Sequence, residues 1–174
     1  MKQLKSMVVL FLTGSVLFQG CGYTRHAALP EGIQTIHVDT VINDIPIDRV
    51  YAYQPGLEID ITNAIIKRMQ QDGNLKIVPR DEADAILISK LIGFEQEGLR
   101  FTSLESIEEY RLFAVLNLKL VDAKTEKPIW EEPNFSGDSE YFVTQVRSLG
   151  RGEAAARAIE RLARNVVDRV VEDW

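Results

Sequence analysis

The sequence predicts an α+β domain, a two-layer sandwich with two α-helices packed on one face of a four- to five-stranded mixed or antiparallel sheet. Three observations carry this. Residues 56–72 and 152–174 place apolar side chains at helical spacing, while most of the chain between them alternates with period two. Each helix has one apolar stripe, which has to be buried against something. A sheet with both helices on the same face satisfies both stripes at once.

The elements follow in order. Residues 33–41 alternate, with Gln34, Ile36 and Val38 on one side and Thr35, His37 and Asp39 on the other, a strand pattern. Residues 43–55, with Pro46, Tyr51, Tyr53 and Pro55, read as a loop. The first helix, 56–72, has Leu57, Ile61, Ala64 or Ile65, and Arg68 or Met69 at helical spacing, acids early and cations late. Asp72-Gly73 ends it, because Gly73 can adopt the left-handed backbone that a helix terminus needs. Residues 75–78 form a short strand closed by Pro79, and 81–84 a turn or a single helical turn.

Residues 85–94 are apolar enough for a central strand, and 95–108 read as a polar connection bearing Arg100 and Phe101. In 110–121, Leu112, Ala114, Leu116, Leu118 and Leu120 share one face; Arg111, Phe113, Val115, Asn117 and Lys119 share the other. A charged hairpin turn occupies 122–127. The next strand opens at Pro128, is interrupted by Pro133 and resumes over 134–142. The closing helix carries Ala155, Ile159, Leu162, Val166, Val170 and Trp174 on its stripe, with Glu160 and Arg164 as an i,i+4 pair and Ser148 as a candidate cap.

Upstream, residues 1–20 have the zones of a secretory leader. Lys2 and Lys5 precede an apolar run over 7–18, and Gly20 supplies a small residue at the cut. The run is too short for a membrane span, which takes about 20 residues. It stops at Cys21, the only cysteine, which therefore has no intramolecular disulfide partner. The Phe18-Gln19-Gly20-Cys21 stretch resembles the lipobox of bacterial lipoproteins, although Phe18 stands where that pattern prefers Leu. The resemblance implies covalent diacylglyceryl and N-acyl lipid on Cys21, and an extracytoplasmic chain held to a membrane by that anchor. Gly22, in place of Asp, fits sorting to the outer membrane. An ordinary leader with an incidental cysteine is the alternative. Residues 1–20 are then a cleaved signal peptide, 21–32 a lipidated tether, and 33–174 one domain.

Composition agrees with a single folded unit. The chain is 45% hydrophobic and 26% charged, proportions of a globular protein. Its formal charge is −6, and removing the two leader lysines makes the remainder more acidic still. An acidic surface disfavours nucleic acid as a partner, because that binding requires neutralised phosphates.

Catalytic and metal-binding patterns are sparse. His26 lies in the tether and His37 on a strand, neither with a ligand at metal spacing. There is no G-x-S-x-G elbow and no glycine-rich phosphate loop. The acidic groups Asp81/Glu82/Asp84, Glu108/Glu109 and Glu131/Glu132 read as solvated turns, and Trp130 and Trp174 as core or edge aromatics. The reading is a binding or structural module without cofactor or metal, not an enzyme.

Several motifs occur in a telling order: Cys21-Gly22-Tyr23, Leu29-Pro30, a helix ending Asp72-Gly73, Val78-Pro79-Arg80, Ala83-Asp84-Ala85 and Glu109-Tyr110-Arg111. Leu120-Val121-Asp122, Ile129-Trp130-Glu131 and Phe135-Ser136-Gly137 follow. Together they resemble the LptE family of lipopolysaccharide-assembly lipoproteins. The family's Asn-x-Thr after the first strand is absent, since Asp44-Ile45 follows Asn43. The resemblance implies an outer-membrane lipoprotein on the periplasmic side that plugs the LptD β-barrel, helps it assemble, and binds lipopolysaccharide. Recognition of lipid phosphates then calls for cations, and Arg100, Arg111 and Lys119 are the candidates. The Ala83-Asp84-Ala85-Ile86-Leu87 strand entry also resembles CsgG-like secretion lipoproteins and LpoB-type activators of peptidoglycan synthases, which is the alternative reading.

Overall fold

The structure, a computed structural model, describes residues 32–46, 55–104, 106–143 and 150–171. In chain order its elements are β1 (Thr35–Val38), β2 (Ile42–Asn43), α1 (Leu57–Asp72), β3 (Lys76–Ile77), a 3-10 turn (Arg80–Glu82), β4 (Ala85–Phe101), β5 (Ile107–Asp122), β6 (Pro128–Phe142) and α2 (Arg151–Val171). The strands make one six-stranded sheet in the order β3-β1-β4-β5-β6, with β2 pairing to β4 beyond the end of β1. β1 runs parallel to β3 and β4, and β2 is parallel to β4. β4, β5 and β6 form an antiparallel meander. The two-layer α+β sandwich is as expected, with more strands than the four or five anticipated.

The helices lie on one side. Ile61, Ile65 and Met69 of α1, Leu162, Val166 and Val167 of α2, and Leu87, Leu91, Leu112, Leu116 and Leu120 of the sheet are all fully buried together. Every second residue of β5 from Leu112 to Leu120 enters this core, so the period-two reading of that strand holds. α1 stops where Asp72-Gly73 predicts: Gly73 has φ 76°, and its N–H donates to the Met69 carbonyl at 3.1 Å. Glu58 and Asp60 sit in its first turn, but its last turn holds no cation, leaving Lys67 and Arg68 short of the terminus. On α2 the expected Glu160–Arg164 pair is not formed within 4 Å, whereas Glu153 and Arg157 pair at 3.7 Å. An exposed pair of this kind is worth only about 0.3–0.5 kcal/mol, too little to hold two long side chains against competing rotamers.

Three segments depart from the sequence reading. Residues 95–101 and 107–109 are not a loose connection: β4 continues to Phe101 and β5 begins at Ile107. The ladder persists through cross-strand pairs such as Glu97 opposite Arg111 and Arg100 opposite Glu109. Glu95, Gln96 and Glu97 are all exposed, so no apolar alternation marked this stretch as strand. Nor is Asn43 the start of a loop, because Ile42 and Asn43 add to β4 as β2. Pro133 does not break β6; it sits with Asn134 in a bulge opposite Asn117. Asn134 takes the left-handed conformation there, φ 56°, and its N–H donates to Asn117 Oδ1 at 3.0 Å.

Asp84 ties the first strand to the meander. Its Oδ2 accepts from the Gln34 N–H (3.2 Å), the Thr35 N–H (3.1 Å) and the Thr35 hydroxyl (2.8 Å), while its own N–H donates to Thr35 Oγ1 (2.9 Å). The helix layer has its own fasteners along the edge strand. Arg161, Asn165 and Arg169, one turn apart on α2, bond Asp138 (3.1 Å), the Ser136 carbonyl (3.1 Å) and Glu132 (3.3 Å). Arg169 also stacks its guanidinium over Trp130, 4.6 Å from the ring centre.

Candidate functional site

Antiparallel pairing puts directly opposed residues on the same face, so the register sorts the sheet into two surfaces. Leu87, Leu91 and Phe94 face the helices together with Leu120, Leu116 and Ala114. Arg100, Arg111 and Lys119 fall on the other, helix-free surface. That surface combines Ile86, Ile88, Phe113, Val115 and Val121 with rows of charge.

Each candidate cation has acidic company on that surface. Arg100 is a strand residue near the hairpin end, 3.5 Å from the largely buried Glu109 carboxylate and 5.7 Å over the Phe142 ring. Arg111 hydrogen-bonds Glu140 through both Nε and Nη2, lies 3.6 Å from Asp138, and covers the Phe113 ring. The Glu140 hydrogen bond raises the Arg111 pKa above its ordinary value. Lys119 meets Glu131, its direct cross-strand neighbour, at 2.8 Å. Arg111 and Lys119 stand eight residues apart on one strand, about 27 Å, so one phosphate cannot touch both. The three cations share a face without forming one cluster.

Other sequence readings are revised at this level. Asp84 is not a solvated turn carboxylate. The Thr35 hydroxyl first, then the Gln34 and Thr35 amides, hold its pKa below the ordinary value, with Lys124 adding attraction. Glu109 is buried rather than solvated. His37 donates its Nδ1–H to the Val78 carbonyl (3.0 Å), with Nε2 3.5 Å from Asp39, a structural position. Cys21, His26, Ser148 and Trp174 lie outside the described residues.

The sequence reading missed the acidic partners Asp138 and Glu140, and also Arg80, whose Nη1 hydrogen-bonds Asp39 at 2.6 Å. Arg80, Asp81, Ile86, Ile88, Lys119 and Val121 line an open depression of about 630 Å³ on the helix-free face. Its apolar floor and charged rim suit an amphipathic surface more than a small substrate. Among the described residues no group of His, Cys, Asp and Glu is arranged to hold a metal ion. No helix among them is long and apolar enough to cross a membrane.

The fold is a sandwich with one face sealed by helices and the other laid out as paired charges over apolar side chains. The chain belongs to the LptE family: the family model described as LptE, lipopolysaccharide-assembly, matches residues 33–173. Among curated proteins none matches it. Among solved structures it is similar to the hypothetical protein CT253 from Chlamydia trachomatis, with TM-score 0.52 and 11% identity over 79% of this chain and 95% of that one. It is also similar to protein XCC0632 from Xanthomonas campestris, with TM-score 0.52 and 12% identity over 83% and 85% of the two chains. At these identities the likeness is one of fold.

Proposed function

We propose that this protein is an outer-membrane lipoprotein, anchored through Cys21, that seats in an LptD-type β-barrel, assists its assembly and binds lipopolysaccharide during delivery to the cell surface. The observation that carries the reading is the family match over residues 33–173. A barrel lumen is polar, and the charged, helix-free sheet face is compatible with lying against such a wall.

The anchor geometry supports the same reading. Residues 21–32 reach at most about 40 Å when extended. They lead to Thr35, which lies at the Ala85 end of the sheet. β4 carries the chain roughly 55 Å from there to Phe101. The β4–β5 hairpin, with Phe101 and Leu104 exposed, thus projects away from the tethered end.

The proposed lipopolysaccharide contacts are Arg100, Arg111 and Lys119, each handing its charge from a carboxylate to a lipid phosphate on binding. Affinity purification of the full chain from native membranes tests the partner. A β-barrel of the LptD type as the stable companion is expected; a peptidoglycan synthase or a self-assembled ring overturns the barrel role. Lipopolysaccharide binding by the purified chain tests the ligand. Arg111→Glu or Lys119→Glu should weaken it, and unchanged affinity removes that residue from the contact set.

A further inference from the structure

α1 and α2 pack with small residues, Ala64 and Ala163, at their contact, and the longer side chains around these leave a groove of about 330 Å³. Lys67, Arg68 and Gln71 of α1 and Arg164 of α2 line it, with Glu160 as the one acid. It opens on the helix side of the sandwich, opposite the sheet face that bears Arg111 and Lys119.

Several cations elsewhere on this acidic chain are neutralised in place. Arg80, Lys90, Arg111, Lys119 and Arg161 each sit beside a carboxylate. Lys67 and Arg164 make no ion pair within 4 Å among the described residues. Arg68 reaches Asp168 only through Nη2, at 3.9 Å. Its Nε is buried and has no hydrogen-bond acceptor. A buried charged donor left unmade is costly, and three cations gathered with only Glu160 and Asp168 near them repel one another. An anion in the groove relieves both penalties.

We propose that the groove between α1 and α2 is a binding site for a phosphate-class anion, a phosphate monoester or a diphosphate. Arg68 Nε is the inward donor; Arg164 and Lys67 close over the outer oxygens, and the Gln71 amide adds a neutral donor. Phosphate suits the set because a monoester carries nearly two negative charges and accepts from a guanidinium fork at two oxygens. This site stands apart from the sheet-face contacts and does not depend on them.

The test uses the full-length chain in non-ionic detergent with ¹⁵N-labelled arginine, titrated with inorganic diphosphate. The Nε–H resonance of Arg68, assigned by its loss in Arg68→Lys, should shift and saturate. The double variant Lys67→Gln/Arg164→Gln alters only exposed side chains, so its urea midpoint should match wild type while its affinity falls by about tenfold or more. A parallel arm reconstitutes the chain in phosphatidylcholine vesicles with and without phosphatidic acid. Response to diphosphate alone identifies a soluble anion, and response to phosphatidic acid alone identifies a lipid headgroup; either supports the site. No movement of Arg68 in either arm overturns it, as does an equal response in the double variant. Response only to a glutamate-rich peptide also overturns it, in favour of an acidic protein segment.

Discussion

Gly137 of β6 lies directly under the backbone of Leu162 of α2: a Cβ built on Gly137 would stand 2.3 Å from the Leu162 nitrogen and 2.5 Å from its Cα. The closest atoms are main chain, which cannot rotate aside as a side chain can. This contact sets how tightly the helix layer meets the edge of the sheet, and α2 makes more of its sheet contacts with β6 than with β5.

Gly137→Ala should therefore destabilise the domain by about 1–3 kcal/mol through overpacking. Trimming the partner should not restore it, because the obstruction is backbone. Leu162→Ala alone should cost about 2–5 kcal/mol as a core truncation, and the double variant should be no more stable than either single one. Urea unfolding midpoints of the three variants check this; a wild-type midpoint for Gly137→Ala refutes the contact.

Thr62 is a buried hydroxyl with two partners. It donates to the Glu58 carbonyl at 2.6 Å and accepts from the Val41 N–H at 2.9 Å, fastening the link between β1 and β2 to α1. Thr62→Val preserves shape but leaves that amide without an acceptor. A loss of about 1–3 kcal/mol is expected. Thr62→Ser keeps the hydroxyl and should cost only about 0.8 kcal/mol for the methyl group. Denaturation curves giving the two variants equal stability contradict this ordering.

Asp84 gives the domain an acid-sensitive element. Its folded pKa is lowered, chiefly by the Thr35 hydroxyl and then by the Gln34 and Thr35 amides. The unfolded carboxyl titrates near ~3.9, so the stabilisation is complete above that value and disappears as pH falls through the folded pKa. Asp84→Asn should lower Tm at pH 7, and the gap from wild type should narrow below about pH 4. Thermal melts across that range check it. A gap independent of pH assigns the effect to shape, not charge.

Cys21 is the test of the anchor. Wild-type chain should have an intact mass corresponding to a start at Cys21 plus a diacylglyceryl and a further acyl group, and should fractionate with membranes. Cys21→Ser should carry no acyl mass and keep its leader. An unmodified Cys21 in the mature wild type refutes lipid attachment.

Legibility in the sequence tracked how local the cause was. Asp72-Gly73 ends α1 as read, since a left-handed terminus needs only the glycine itself. The alternation of β5 showed which residues face outward, so Arg111 and Lys119 were placed on the correct face. Their partners were not legible. Lys119 meets Glu131 only because the 122–127 turn sets that register, and Arg111 meets Glu140 far along the same ladder. The outer half of β4 was missed because its exposed Glu95, Gln96 and Glu97 carry no hydrophobic period. Lys67 and Arg164 belong to helices distant in sequence, and only packing brings them together.

The bulge at Pro133 and Asn134 has a consequence beyond this one molecule. β6 is the sheet's long outer border, and an uninterrupted fifteen-residue border would invite a second copy to extend the ladder. Pro133 has no N–H to offer, and Asn134 turns its backbone into the left-handed region. An incoming strand thus meets two short, misaligned segments in place of one straight template. Crowded against its neighbours, the protein is guarded against polymerising edge to edge.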